Sequence, residues 1–372
     1  MTGYHGATLS GAKWAYTTRR ITPDRIARLS TDVTRAEAGD LLLAEVRTVG
    51  HHKAIQLASG RLSTLFPGDR LVLAVGARYA PDQFLARAEI GSAACELAAA
   101  GGIAGRVEQR HDRIGPATAL RPIALLAHAD GEPVNLRDAA MTLPSAAPAI
   151  PVIAVVGTSM NSGKTTTVAA IVRGLAASGL RVGAAKITGT GAFGDPNLYR
   201  DAGAAEVLDF TDAGFGTTFG LAVAQLERIG IGLAAALAER GCDTAVLEIA
   251  DGLYQAETRA LLGSAPVRAM LRGRLVFAAT DAVSAAGGAA ELAAMGLAPI
   301  AVSGLFTRSP LAMAEAAMHV TAPILLPQTL WTPAAARSLL ERAHRRPIDD
   351  LAAGPDDRTP AGAAGATATA AA

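Results

Sequence analysis

The 372-residue chain has only two cysteines, Cys95 and Cys242. That is too few for a disulfide framework, and neither has the closely spaced partners that a zinc site needs. Aromatic residues are 4% of the sequence, so the cores must be built from closely packed Ala, Val, Leu and Ile. A surplus of one charge is also missing. Lys plus Arg number 34 against 33 for Asp plus Glu, which leaves no basic footprint of the kind that binds nucleic acid. No apolar stretch approaches the ~20 residues of a membrane span. The N-terminal stretch containing His5, Lys13, Arg19 and Arg20 has no continuous apolar run of the kind a signal peptide carries. Together these absences favour a cytoplasmic protein that engages neither nucleic acid nor membrane.

What remains is a chain that is 50% hydrophobic and 18% charged, long enough for about two domains with separate cores. Residues 1–142 read as a mostly-β N-terminal domain. Leu41–Val46 and Arg70–Val75 are short apolar runs, each preceded by a Gly-Asp turn at Gly39-Asp40 and Gly68-Asp69. Lys53 to Leu57 alternates polar and apolar, and Ala93 to Ala100 reads as a helix. Short strands with this punctuation predict a small barrel or sandwich. Residues 143–151 hold three prolines, Pro144, Pro148 and Pro151, and read as an interdomain linker with few core contacts across it. From 152 to 348 the pattern becomes α/β: strands at Val152–Val156, Arg181–Ile187, Thr244–Ile249, Arg274–Ala279 and Pro299–Phe306 alternate with helical periodicity. Such alternation predicts a mostly parallel sheet with helices on both faces. Residues 349–372, rich in Ala, Gly, Thr and Pro, read as a disordered tail.

The strongest signal is the run Gly157, Thr158, Ser159, Met160, Asn161, Ser162, Gly163, Lys164, Thr165, Thr166. An apolar strand enters it, and an amphipathic helix with Val168, Ile171, Val172 and Leu175 leaves it. In that setting the run predicts a phosphate-binding loop, or P-loop. Backbone N–H groups would face the phosphates, Lys164 would place its charge on the β- and γ-phosphates, and the Thr165 hydroxyl would suit Mg²⁺. Five residues separate Gly157 from Gly163 where four are usual.

This spacing resembles the loop of dethiobiotin synthetase. The Asn161–Thr167 portion is also similar to the molybdopterin-guanine dinucleotide biosynthesis protein B and the cobyrinic acid a,c-diamide synthase family. The resemblance covers roughly residues 150–330 and leaves the N-terminal β region unassigned. It implies ATP or GTP with Mg²⁺, a strand-ending lysine (Lys186) in a catalytic role beside Lys164, and Asp195 and Glu248 as metal-binding acids with Thr165. It also implies phosphoryl transfer that activates a small carboxylate or carbamate for ligation or cyclisation. An accessory nucleotide-binding protein of cofactor biosynthesis, a small-molecule kinase and an acyltransferase holding a coenzyme A phosphate remain alternatives. The expected partner is a small-molecule substrate, and a homodimer is allowed.

Other segments give weaker expectations. Asp251 is the alternative to Glu248. Thr280-Asp281 and Thr307-Arg308-Ser309 are strand-end loops placed to meet a nucleotide base. Asp201, Asp209 and Asp212 read as cap and turn residues, and His51-His52 as solvated turn histidines. Gly76–Phe84, with Arg78, Tyr79, Asp82 and Gln83, is either a loop that recognises a carboxylate or ring or a well-packed turn.

Overall fold

A computed structural model describes residues 9–344; the expected tail at 349–372 lies outside them. The N-terminal strands are β1 (Lys13–Trp14), β2 (Arg28–Ser30), β3 (Leu41–Thr48), β4 (Ala54–Gln56), β5 (Leu62–Thr64), β6 (Arg70–Val75), β7 (Arg78–Tyr79), β8 (Phe84–Arg87), β9 (Cys95–Ala99), β10 (Ile103–Arg110) and β11 (Thr118–Ala127). β6 pairs with β3, β3 with β11, β11 with β9, β9 with β10, and β10 returns to β6. The ring is a small closed barrel, as the turn punctuation predicts. Alternation explains it. Leu42, Ala44, Leu71, Leu73 and Leu97 fill one side of the sheet, while Leu41, Leu43, Val72, Ala74 and Ile103 fill the other. Both faces are therefore buried, and the strands read as unbroken apolar runs. The expected helix at Ala93–Ala100 is instead β9, because pairing with β10 and β11 overrides the helix preference of its alanines.

The second half contains β12 (Val152–Gly157), β13 (Val182–Lys186), β14 (Glu206–Asp209), β15 (Thr244–Glu248), β16 (Leu275–Ala279) and β17 (Ala301–Gly304). They form an all-parallel sheet in the order β14-β13-β15-β12-β16-β17. Its helices are α1 (Lys164–Ala177), α2 (Gly194–Asp201), α3 (Val223–Glu239), α4 (Ala256–Gly263), α5 (Ala265–Leu271), α6 (Ala282–Ala294), α7 (Pro310–Ala317), α8 (Pro327–Leu330) and α9 (Pro333–His344). Val152, Ala154 and Val156 pack on the face covered by α3. Ile153 and Val155 pack on the opposite face, which carries α1. The α/β fold class is as the sequence predicts. The order reverses direction at β12, so the loop that follows it opens at the switch point where open α/β sheets place their ligands.

The connector from Leu143 to Pro151 has no regular structure, but the expectation of few contacts across it does not hold. Asp209 and Asp212 are not isolated turn residues. Tyr16 Oη donates to Asp209 Oδ2 at 2.7 Å, and Arg19 Nη2 donates to Asp212 Oδ1 at 2.7 Å. Arg19 also bonds Thr211 and lies 4.3 Å from the Tyr16 ring centroid. A Cβ on Gly101 would stand 1.8 Å from the Gly191 carbonyl oxygen, so only glycine permits this approach of barrel to sheet. Asp209 is 2% exposed, and stranding a buried carboxylate typically costs about 3–5 kcal/mol. Arg19→Met is therefore expected to lower unfolding free energy by about that amount in urea titrations, with one cooperative transition for the wild type. Two separate wild-type transitions would contradict an interface of this strength.

Candidate phosphate-binding site

β12 delivers the chain into the loop, and α1 begins at Lys164. The loop can turn this tightly because a Cβ on Gly157 would meet Ser162 Oγ at 2.2 Å. Gly163 adopts φ +94° and Asn161 φ +61°, left-handed conformations that suit glycine and asparagine. Thr158 N–H is tied to Ala278 O at 3.0 Å, and Thr167 N–H to Gly163 O at 2.9 Å. Between them, no N–H of residues 159–166 donates a hydrogen bond among the described residues. Thr158 Oγ1 and Ser162 Oγ are likewise buried without partners. A row of orphaned donors at a helix start makes a concave, electropositive anion seat.

Lys164 is 6% exposed, and its Nζ donates to Ser159 O at 2.8 Å. Burial pushes its pKa down, against the opposing pull of Glu248 and Asp251. Lys186 ends β13 in register with Glu248 at the end of β15. Its ammonium is bonded to Asp195, from the first turn of α2, and lies 3.7 Å from Glu248 Oε1. Burial alone would depress its pKa, but the Asp195 and Glu248 carboxylates outweigh it and hold the lysine charged. Glu248 is 2% exposed, and its other oxygen accepts from Tyr199 Oη. Tyr199, Glu248, Lys186 and Asp195 thus form one chain, and the sequence analysis did not select Tyr199. No short motif marks it; only its place on the inner face of α2 brings it there.

The buried acid at Glu248 has its counter-charge within the protein, supplied by Lys186, where the sequence reading assigned that part to Mg²⁺. Asp251 faces the same cleft with φ +66°. Burial raises its pKa above the usual carboxylate value, while Lys164 and Lys186 pull it down. Stability from such a group is present below the ordinary carboxylate pKa and lost as pH rises through the raised one. At neutral pH the ionised Asp251 therefore weakens the fold. Asp251→Asn, which also tolerates the left-handed backbone, is expected to melt higher than wild type at pH 7, with the difference shrinking in acid. Equal melting temperatures at both pH values would refute the assignment.

The cleft has a volume of about 440 Å³, with Lys164, Thr165, Lys186, Asp195 and Glu248 on one side and Arg78 and Tyr79 of the barrel on the other. Arg308 lines it as well, whereas Asp281 caps α6 by accepting from Ser284 N–H at 2.8 Å. His52 is half-buried, not a freely solvated turn residue. It packs edge-on against Phe84, and burial, with Arg78 nearby, pushes its pKa down to about 4. A larger hollow of about 590 Å³ lies by α6, lined mainly by alanines and prolines. It lacks the converging charges found at the loop. Among the described residues no group of three or more His, Cys, Asp or Glu could hold a metal ion, and no helix is long and apolar enough to cross a membrane.

No family model matches the chain, and no curated protein does. Solved structures similar to it include the cell division protein FtsY of Thermotoga maritima, 16% identical over 54% of this chain and 70% of that one, with a TM-score of 0.35. The signal recognition particle receptor FtsY of Elizabethkingia anophelis is 14% identical over 57% and 75%, also with a TM-score of 0.35. The signal recognition particle 54 kDa protein of Aeropyrum pernix, in complex with GDP, is 19% identical over 54% and 50%, with a TM-score of 0.34. Likenesses at this level carry nothing about ligand or activity.

Proposed function

We propose that the cleft binds a nucleoside triphosphate, ATP or GTP, and cleaves its terminal phosphoryl bond, transferring that group to the carboxylate or carbamate of a small substrate. The observation that carries this reading is the run of orphaned N–H groups at 159–166 converging with the Lys164 ammonium. The loop would seat the phosphates, and Lys164 would neutralise the charge that develops as the bond breaks. Lys186, kept protonated and fixed by Asp195 and Glu248, would present a second cation from the end of β13, across β15 from the strand that enters the loop.

In this reading the nucleotide's phosphates would hold most of a Mg²⁺ ion, with the Thr165 hydroxyl and the Asp195 and Glu248 carboxylates as the hard oxygen donors on the protein side. When bound, the ion would supply charge neutralisation on the β- and γ-phosphates.

The test is phosphate release from Mg-ATP and Mg-GTP with and without pools of small carboxylates and amines. Acceptor-dependent release supports transfer. Tight nucleotide binding with no acceptor dependence would point instead to the accessory role.

A further inference from the structure

Arg78 begins β7, and the barrel carries it to the cleft opposite the phosphate loop. It is 7% exposed. No carboxylate oxygen among the described residues lies within 4.0 Å of it. Its bonds run to neutral acceptors instead. Nη2 donates to Gln83 Oε1 at 2.8 Å, and Nη1 donates to the Ala98 carbonyl and approaches His52 Nε2 at 3.1 Å. Its Nε is buried and has no partner.

Burial pushes the Arg78 pKa down to about 10, against the opposing pull of the Asp82 and Asp251 carboxylates beyond contact distance, which still leaves the guanidinium charged at neutral pH. His52, depressed to about 4, is then neutral, and its Nε2 stands 3.2 Å from the Ala98 carbonyl that Arg78 also bonds. The result is a buried cation that lacks a contacting counter-ion and keeps one N–H free. Such an arrangement is unfavourable unless an anion completes it. The hairpin that carries Arg78 is also fastened to the loop: Asn161 Nδ2 donates to Asp82 Oδ2 at 2.8 Å. Arg78 is therefore held at a fixed position relative to the phosphate seat, and its planar fork suits a carboxylate or phosphoryl group.

We propose that Arg78 is a recognition residue for an oxyanion, carboxylate or phosphoryl, held between the barrel and the phosphate loop. The identity of what lies across the cleft rests on the nucleotide reading above; the anion at Arg78 does not. Two sources share this chemistry: the terminal phosphate of the nucleotide and an acidic group of the second substrate.

Titration calorimetry of the full chain separates them, using Mg²⁺ with β,γ-imido-ATP, Mg²⁺ with ADP, inorganic phosphate and succinate as probes. Arg78→Met is expected to weaken at least one oxyanion probe by about tenfold or more, and Arg78→Lys, which keeps the charge but loses the fork, by less. A loss confined to imido-ATP, with ADP unchanged, assigns Arg78 to the terminal phosphate. A loss on phosphate or succinate, with both nucleotides unchanged, assigns it to the second substrate. If wild type bound neither nucleotide, the functional reading would fail while the phosphate and succinate arms still reported on Arg78. Cooperative melting checks that each variant folds, and if only Arg78→Lys does, its comparison with wild type decides. No difference from wild type with any of the four probes, including none binding at all, overturns the proposal.

Discussion

Lys164→Ala is expected to lose tight nucleotide binding and to slow phosphate release by about 10²–10³-fold, the usual effect of deleting one preorganised charge partner at a reacting phosphoryl group. The side chain is buried and its ammonium donates to a loop carbonyl, Ser159 O. It makes no ion pair closer than 4.0 Å among the described residues, so removing it relieves a desolvated charge and should leave the fold intact. Retained cooperative melting alongside lost binding is the expected pair of results. Wild-type affinity in a folded Lys164→Ala protein would remove the phosphate-loop reading.

Glu248→Gln is expected to lower turnover by about 10–100-fold, in the range seen when a group supporting a site residue is changed. Glutamine keeps the size and can still accept from Tyr199, but it removes one of the two carboxylates that hold Lys186 charged. Asp195→Asn removes the other. Each single variant leaves Lys186 with one counter-charge. The double variant should lose more than the product of the two single effects, because the residues act on one lysine. Metal-free nucleotide binding should change much less, and it may be measured beside a Mg²⁺ titration of phosphate release. Unaltered rates and Mg²⁺ dependence in both single variants would show that neither acid serves the site.

The strand, loop and helix around residues 152–177 were legible because their signals are local, and the resemblance picked out Lys186 and Glu248, which line one cleft with the loop. A loop between an apolar run and a periodic helix needs only a dozen neighbouring residues to be recognised. The mostly-β character of the first half was legible from its Gly-Asp turns and short apolar runs, with barrel and sandwich left open. What escaped depends on distant partners. β9 looked helical because its alanines conceal a pairing with β10 and β11. β14 escaped because Glu206 and Asp209 bracket only two apolar residues. Asp209 and Asp212 looked like turn acids because Arg19, their partner, lies nearly two hundred positions earlier. Tyr199 and His52 have roles fixed by burial against residues that no spacing rule connects to them.

Calorimetric titration of Mg-ATP and Mg-GTP into the wild-type chain, repeated with Lys164→Ala, tests the central claim most directly. The account predicts saturable binding of at least one of the two nucleotides at one site per chain, with that binding lost in the folded variant. Absence of binding by both nucleotides, or equal affinity in Lys164→Ala, would contradict it.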